Sequence, residues 1–186
     1  MKRIFIGIKI EVGRNFSKLL SSLKDELAEE SIKWTNPGNM HLTLAFMGDT
    51  PDDKINDLIG VLEQKCANHG SFELTLKGIG VFKNIREPKI FWAGIYQSEK
   101  LASLQNDISE SLKEGGFSFD EKPFSPHLTI GRIKHINDRD LLKVFLLKHH
   151  STEIQRSFVN HVVLFESILR KDGPEYKPVR MFNLHT

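Results

Sequence analysis

A chain of 186 residues with 39% apolar side chains can bury one substantial core or two small lobes, which excludes wholesale disorder. Its 26 basic and 24 acidic residues leave a formal charge of +2, so it is not a polybasic coat for whole duplexes, although a local basic site stays open. The opening run from Met1 to Ile8 is too short for a signal peptide, and no stretch approaches membrane-spanning length, so the expected location is the cytoplasm with no membrane partner.

In chain order, Ile4, Ile6, Ile8 and Ile10 alternate with Phe5, Gly7 and Lys9, predicting a strand with one core face. Phe16, Leu19, Leu20, Leu23 and Leu27 recur at helical steps and predict an amphipathic helix over about residues 15–30. Pro37-Gly38-Asn39 predicts a turn before a strand from Met40 to Met47. Thr50-Pro51-Asp52-Asp53 has the pattern of an N-cap, a first-turn proline and two acids at the positive end of a helix. That helix carries Ile55, Leu58, Ile59, Leu62 and Cys66 on its apolar stripe. Cys66, the single cysteine, therefore reads as core rather than as a catalytic thiol and suits a reducing compartment.

Phe72, Leu74 and Leu76 predict the next strand, and a loop through Gly78, Gly80 and Arg86-Glu87-Pro88 leads to another over about Ile90 to Tyr96. Gly78-Ile79-Gly80 lacks the third glycine and following helix of a dinucleotide fingerprint and carries no cofactor weight. Leu101, Leu104, Ile108 and Leu112 mark a third helix stopped at Gly115-Gly116, and Pro126 opens a strand from His127 to Arg132. A short helix near residues 138–148 and strands near 157–166 and 178–184 complete a mixed α and β order with no linker for a domain cut.

Sliding the chain against itself by 86 residues superposes His41-Leu42-Thr43-Leu44 on His127-Leu128-Thr129-Ile130, and Arg3-Ile4-Phe5 on Lys89-Ile90-Phe91. The same shift sets Ile55 on Leu141, Leu58 on Val144, Ile59 on Phe145 and Phe72 on Phe158. Within a strand, residues two apart share a face, so each histidine and threonine point together while Leu42, Leu44, Leu128 and Ile130 face the core. Imidazole titrates near neutrality, so one copy can accept a proton while the other gives one. A threonine hydroxyl beside each can donate to a phosphoryl oxygen, a set suited to in-line displacement at phosphorus. Arg132 adds a bidentate cation only if the strand bulges or ends, because strict alternation sends it to the face opposite His127.

Neither motif brings a nearby cysteine, second histidine or carboxylate on its face, so neither metal nor cofactor is expected. His69, His149 and His150 fall in polar ends and read as solvated, while His135, His161 and the terminal His185 have no motif around them.

These motifs resemble those of the two-histidine (2H) phosphoesterase superfamily, specifically the bacterial and archaeal RNA 2′,3′-cyclic phosphodiesterases, also called 2′-5′ RNA ligases. The resemblance rests on Arg3 to Ile8, Pro37 to Gly48, Ile90 to Gly94 and Phe124 to Arg132, and spans nearly the whole chain. It implies an α+β bilobed fold of two antiparallel sheets with outer helices, one domain over residues 1–186 with a repeat at about 1–86 and 87–186, and the histidines in a central cleft. It further implies opening of a terminal 2′,3′-cyclic phosphate to a 2′-phosphate, with His41 as proton donor, His127 as proton acceptor, and Thr43, Thr129 and Arg132 holding phosphate. The implied partner is RNA with a cyclic phosphate end, tRNA fragments among the candidates, acting on a monomer. Relatives often carry a longer basic side chain where Ala45 stands, which implies the loss of one phosphate contact on the cleft face.

Phe5 lies on the face of Gly7 and Lys9, where a base can stack on it, and Trp34, Trp92, Arg86 and Lys89 are further candidates along an RNA path, with packing the favoured role of the tryptophans. Two other readings stay open. One is an RNA-end binding protein without turnover; the other is a phosphodiesterase of small cyclic nucleotides or 2′-5′ oligonucleotides. Ligation of RNA halves through a 2′-5′ bond is the chemical reverse of hydrolysing such a linkage, and the same acid and base would serve it.

Overall fold

The computed structural model describes residues 1–96, 98–171 and 173–185. Its strands are β1 (Lys2–Lys9), β2 (Ser31–Trp34), β3 (His41–Thr50), β4 (Phe72–Phe82), β5 (Ile90–Ile95), β6 (His127–His135), β7 (Glu153–Val159), β8 (His161–Arg170) and β9 (Gly173–Asn183). Its helices are α1 (Arg14–Glu26), α2 (Asp52–Ala67), α3 (Glu99–Glu114) and α4 (Arg139–His149). None is long and apolar enough to cross a membrane among the described residues.

The strands run in the order β7-β4-β5-β6-β3-β1-β8-β9, with β2 on β6, and every pairing between them is antiparallel. The two lobes, β7-β4-β5-β6 and β3-β1-β8-β9, are joined by one registered pair, Leu42 opposite Leu128. Those leucines are 1% and 0% exposed, and burying each side chain contributes about 1.5–3 kcal/mol. The middle of the sheet is thus pinned by the residues between each histidine and its threonine.

The two halves of the sequence exchange elements. β1 and β3 build one lobe, yet α1 packs on β7 and β4 pairs with β5 in the other; β5 and β6 reciprocate, with α3 on β3 and β8 paired to β1. A cut near residue 86 would part β4 from β5, so neither half can bury its apolar face alone.

Pairing registers expose a second symmetry. Ile6 lies opposite Ala45 and Gly7 opposite Thr43, skipping Leu44; Phe91 lies opposite Gly131 and Trp92 opposite Thr129, skipping Ile130. The same β-bulge therefore stands in both motif strands, and each shows two consecutive buried residues after its threonine, Leu44-Ala45 and Ile130-Gly131.

Several sequence expectations are corrected. Phe5 corresponds in pairing to Ile90, not Phe91, so the strands before the motifs are offset one residue from the motif spacing: Phe5 faces the cleft and Phe91 the core. Both faces of β1 are buried, because Ile4, Ile6 and Ile8 lie in the main core and aromatics cover Phe5 on the other side. In α4 the buried residues are Leu142 and Phe145, while Leu141 and Val144 are exposed, so its stripe is also one step off α2. Phe158 is exposed whereas Phe72 is buried.

Gly78 and Gly80 lie within β4 instead of a loop. Pro51, not Thr50, is the N-cap of α2, and residues 157–166 span parts of two strands. β2 was not anticipated: four residues on an edge carry too little alternation to stand out.

Candidate active site

Each histidine opens a strand directly after an irregular segment. Pro37–Asn39 forms one 3-10 turn, with the Asn36 side chain accepting from Gly38 N–H at 2.9 Å, and delivers the chain to His41. His41 Nδ1 lies 2.7 Å from Asn39 O, and His127 Nδ1 lies 2.7 Å from Ser125 O. A carbonyl oxygen can only accept, so each Nδ1 carries the proton, and the neutral ring presents a bare Nε2. Both imidazoles are thereby fixed in the same tautomer by the residue two positions earlier.

With Leu42 opposite Leu128, an antiparallel register sets His41 beside Thr129 and Thr43 beside His127. The histidines then occupy one diagonal of a four-residue patch and the threonines the other; in a regular pair such a diagonal spans roughly 7–8 Å. That spacing leaves room for one tetrahedral phosphate between two Nε2 atoms. Gly7 faces Thr43 across the sheet, where a Cβ would come within 2.8 Å of Leu42 O.

The bulge decides which neighbours reach this patch. Past Ile130 the alternation of β6 reverses, so Arg132, exposed and paired with Ile90, shares the face of Thr129 and His127. By the same reversal Phe46 shares the face of His41, whereas Ala45 is 4% exposed and belongs to the core. The expectation that Ala45 marks a lost contact on the cleft face is therefore corrected: that position points inward. Arg3 lies over the Phe46 ring at 4.9 Å, adding a second guanidinium to the rim.

Aromatic rings back both histidines. Phe82 stands edge-on to His127 with centroids 4.9 Å apart, and Phe165, which pairs with Phe5 as Phe82 pairs with Ile90, lies 6.2 Å from His41. His41 gains two more rings, Phe5 and Tyr176, each at 4.7 Å. The source of the asymmetry is β9, which pairs with β8 from end to end, while β7 pairs with β4 only over Phe72–Lys77 and stops short of Phe82. Burial consequently holds the His41 imidazole below its ordinary pKa; the hydrogen bond to the Asn39 carbonyl opposes this shift and the nearby His127 adds to it. Burial raises the Tyr176 phenol, with Arg132 and Arg3 pulling it the other way.

The family comparison agrees with this geometry. A family model described as LigT like phosphoesterase matches residues 6–92 and 95–176, both motifs included. The chain belongs to this family. The phosphoesterase is 33% identical to the RNA 2′,3′-cyclic phosphodiesterase of Thermotoga maritima, covering 91% of this chain and 90% of that one. It is 30% identical to the protein of the same name from Methanothermobacter thermautotrophicus, over 98% of each chain. Its fold matches TT0787 of Thermus thermophilus with a TM-score of 0.80 at 22% identity, covering 98% and 97% of the two chains. It also matches E. coli LigT complexed with 3′-AMP, with a TM-score of 0.75 at 20% identity, covering 100% and 99%.

Other candidate residues of the phosphoesterase separate clearly. Phe5 is 2% exposed, its ring against His41, Phe165 and Tyr176, so no face is left for a base; it supports His41 instead. Trp34 packs against Phe91 at 5.9 Å, and Trp92 lies over Gly80 on the face of Thr129. Arg86 and Lys89 are exposed on the segment after Phe82. Cys66 is fully buried, with its thiol pushed up to about 12, as a core residue requires.

His69 and His149 are not solvated. The first bonds Asp107 at 2.9 Å and the second lies tilted against the Phe145 ring at 4.5 Å. His161, which has no motif, lines a cavity that also reaches His41. No cluster of three or more histidine, cysteine, aspartate or glutamate side chains suited to a metal occurs among the described residues. Sequence reasoning missed Tyr176, Phe82, Arg3 and the two carbonyls, of which only the carbonyls left a signal, since Pro37 and Pro123 share the spacing of the histidines; Phe46 was legible as the residue that stands where Arg132 stands in the second motif.

Proposed function

We propose that the protein hydrolyses RNA 2′,3′-cyclic phosphate ends to 2′-phosphomonoesters by metal-independent acid and base catalysis, with His41 as the acid and His127 as the base. The observation that carries this reading is the identical fixing of both rings, Nδ1 at 2.7 Å from a carbonyl and Nε2 free, on one face with two threonines. Relatives that share most of the chain carry the name of this activity.

In the step, His127 Nε2 takes a proton from water as its oxygen bonds to phosphorus. The bond from phosphorus to the 3′ oxygen breaks in line, and His41 Nε2–H protonates the departing oxygen. Thr43, Thr129 and Arg132 donate to the non-bridging oxygens, where negative charge builds. Solvent then restores the two protonation states.

His41 must be charged to act as the acid, yet the protein alone holds its pKa low. The phosphodiester brings a negative charge against the ring, which favours the imidazolium and opposes the burial. Binding and activation of the acid are thus one event. With a second RNA's 5′ hydroxyl in place of water, losing its proton to His127 as it bonds to phosphorus while His41 protonates the departing 3′ oxygen, the same chemistry gives a 2′-5′ linkage.

The test is product analysis with a nucleoside 2′,3′-cyclic phosphate in the presence of a chelator. A 2′-phosphate forming at an undiminished rate is expected; loss of turnover restored by a divalent metal contradicts the metal-independent step, and tight binding without product favours an RNA-end binding protein.

A further inference from the structure

The hairpin of β8 and β9 outruns the sheet that carries it. β1 pairs with β8 only from Ile4 opposite Glu166 to Gly7 opposite Val163, whereas β8 and β9 stay paired out to Arg170 opposite Gly173. The resulting arm lays Tyr176 against His41 and ends at the other lobe: the Lys33 Nζ of β2 lies 3.3 Å from where a Cβ on Gly173 would stand, and β2 is paired to β6. Among the described residues of the arm, 167–171 and 173–176, one hydrogen bond leads to the rest of the chain. The Asn39 side-chain N–H₂ donates to Pro174 O at 2.8 Å.

Asn39 is thus engaged from three sides. Its backbone N–H donates to Asn36 O at 2.8 Å, its carbonyl accepts from His41 Nδ1 at 2.7 Å, and its side-chain amide holds Pro174. Ser125, 86 residues on, offers its carbonyl to His127 in the same way, but its hydroxyl makes no hydrogen bond among the described residues. The histidine with an arm over it is the one with a clamp beside it. Resting on the proposed function, we infer that Asn39 is a positioning residue for the acid: its carbonyl sets the His41 ring, and its amide fastens the arm that lays Tyr176 against that ring.

Pro174 and Tyr176 stand two apart on one strand and share a face, so a clamp on the first fixes the placement of the second. A two-stranded ribbon alone is marginal in water, which leaves the arm dependent on its ties. With the arm fastened, burial holds the His41 imidazole below its ordinary pKa. The other titratable and charged groups facing His41 are Lys9 opposite it on β1, His127 on β6 and the Tyr176 phenol, with Arg132 and Arg3 at the rim. Asn39 carries no charge, so a neutral replacement alters the surroundings of His41 through the arm and leaves those charges in place.

The experiment takes Asn39→Ala and Asn39→Ser, the second of which installs the residue found before His127, each alone and combined with Tyr176→Ala. An NMR titration of the His41 ring is expected to show its pKa rising toward the ordinary imidazole value in both single variants, with no further rise when either is added to Tyr176→Ala. On a nucleoside 2′,3′-cyclic phosphate, kcat is expected to fall about two- to tenfold, the weight of one neutral hydrogen bond. On a p-nitrophenyl phosphodiester, whose leaving group needs no proton, it should change by less than about twofold. An unmoved His41 pKa in both variants, equal losses on the two substrates, or the full effect of Asn39→Ala persisting beside Tyr176→Ala overturns the inference and leaves the proposed activity intact. Absence of turnover by the wild type on either substrate overturns the activity on which it rests.

Discussion

Tyr176 stands edge-on to His41, with ring centroids 4.7 Å apart and planes at 77°, and no comparable residue touches His127 from a neighbouring outer strand among the described residues. This contact belongs to β9 and turns a near-symmetric cleft into one with a covered side and an open side. A buried imidazole loses solvation when it charges, so removing the cover must favour the charged form.

Tyr176→Ala is therefore expected to raise the His41 pKa toward the ordinary imidazole value, followed by an NMR titration of the ring protons. His127→Gln moves it in the same direction, because a nearby group that becomes positive is gone. A His41 pKa that stays put or falls in Tyr176→Ala contradicts burial as the leading cause.

His41→Ala and His127→Ala are each expected to lower turnover by about 10²–10⁴-fold, the usual weight of one proton-transfer group. The double variant should lose little more than the worse single one, since both act in one transition state. Circular dichroism of the variants checks that the sheet persists. Independent, multiplicative losses would place the histidines in separate steps.

Arg132 reaches the cleft only through the bulge at Ile130. Arg132→Ala is expected to reduce kcat/KM by about 10–100-fold, the range for losing a charge-assisted hydrogen bond. Arg132→Lys should recover part of the loss, because charge returns without the planar fork. Steady-state kinetics that show no difference from wild type would return Arg132 to the solvated surface.

Gly80 supports the other wall of the cleft, since a Cβ there would come within 2.2 Å of the Trp92 ring. Gly80→Ala is expected to destabilise the fold by about 1–3 kcal/mol, as overpacking does, read from urea unfolding. Unchanged stability would mean that Trp92 moves aside freely.

Much of the site was legible in the sequence because a strand's period of two ties each histidine to its threonine. His41 with Thr43, and His127 with Thr129, share a face as the alternation requires. Alternation alone misassigned the residues beyond Leu44 and Ile130. One extra residue in each strand reverses the pattern, carrying Arg132 and Phe46 toward the cleft and Ala45 into the core. Nothing in Leu44 or Ile130 announces a bulge, since both are ordinary strand residues.

The rings around His41 were illegible for a different reason. Phe165 and Tyr176 reach it from β8 and β9, more than a hundred residues away, through pairing that no local pattern encodes. The exchange of helices and strands between lobes was hidden likewise. A repeat in sequence says which elements correspond, and only the pairing says whose partner each becomes.

The acid and base assignment is the centre of the account, and a change of leaving group tests it most directly. Turnover of the wild type, His41→Ala and His127→Ala would be compared on a 2′,3′-cyclic phosphate and on a p-nitrophenyl phosphodiester, whose leaving group departs without a proton. The account predicts that His41→Ala loses the cyclic substrate but retains the nitrophenyl ester, while His127→Ala loses both. Equal losses on the two substrates in His41→Ala, or the reverse pattern, would contradict it.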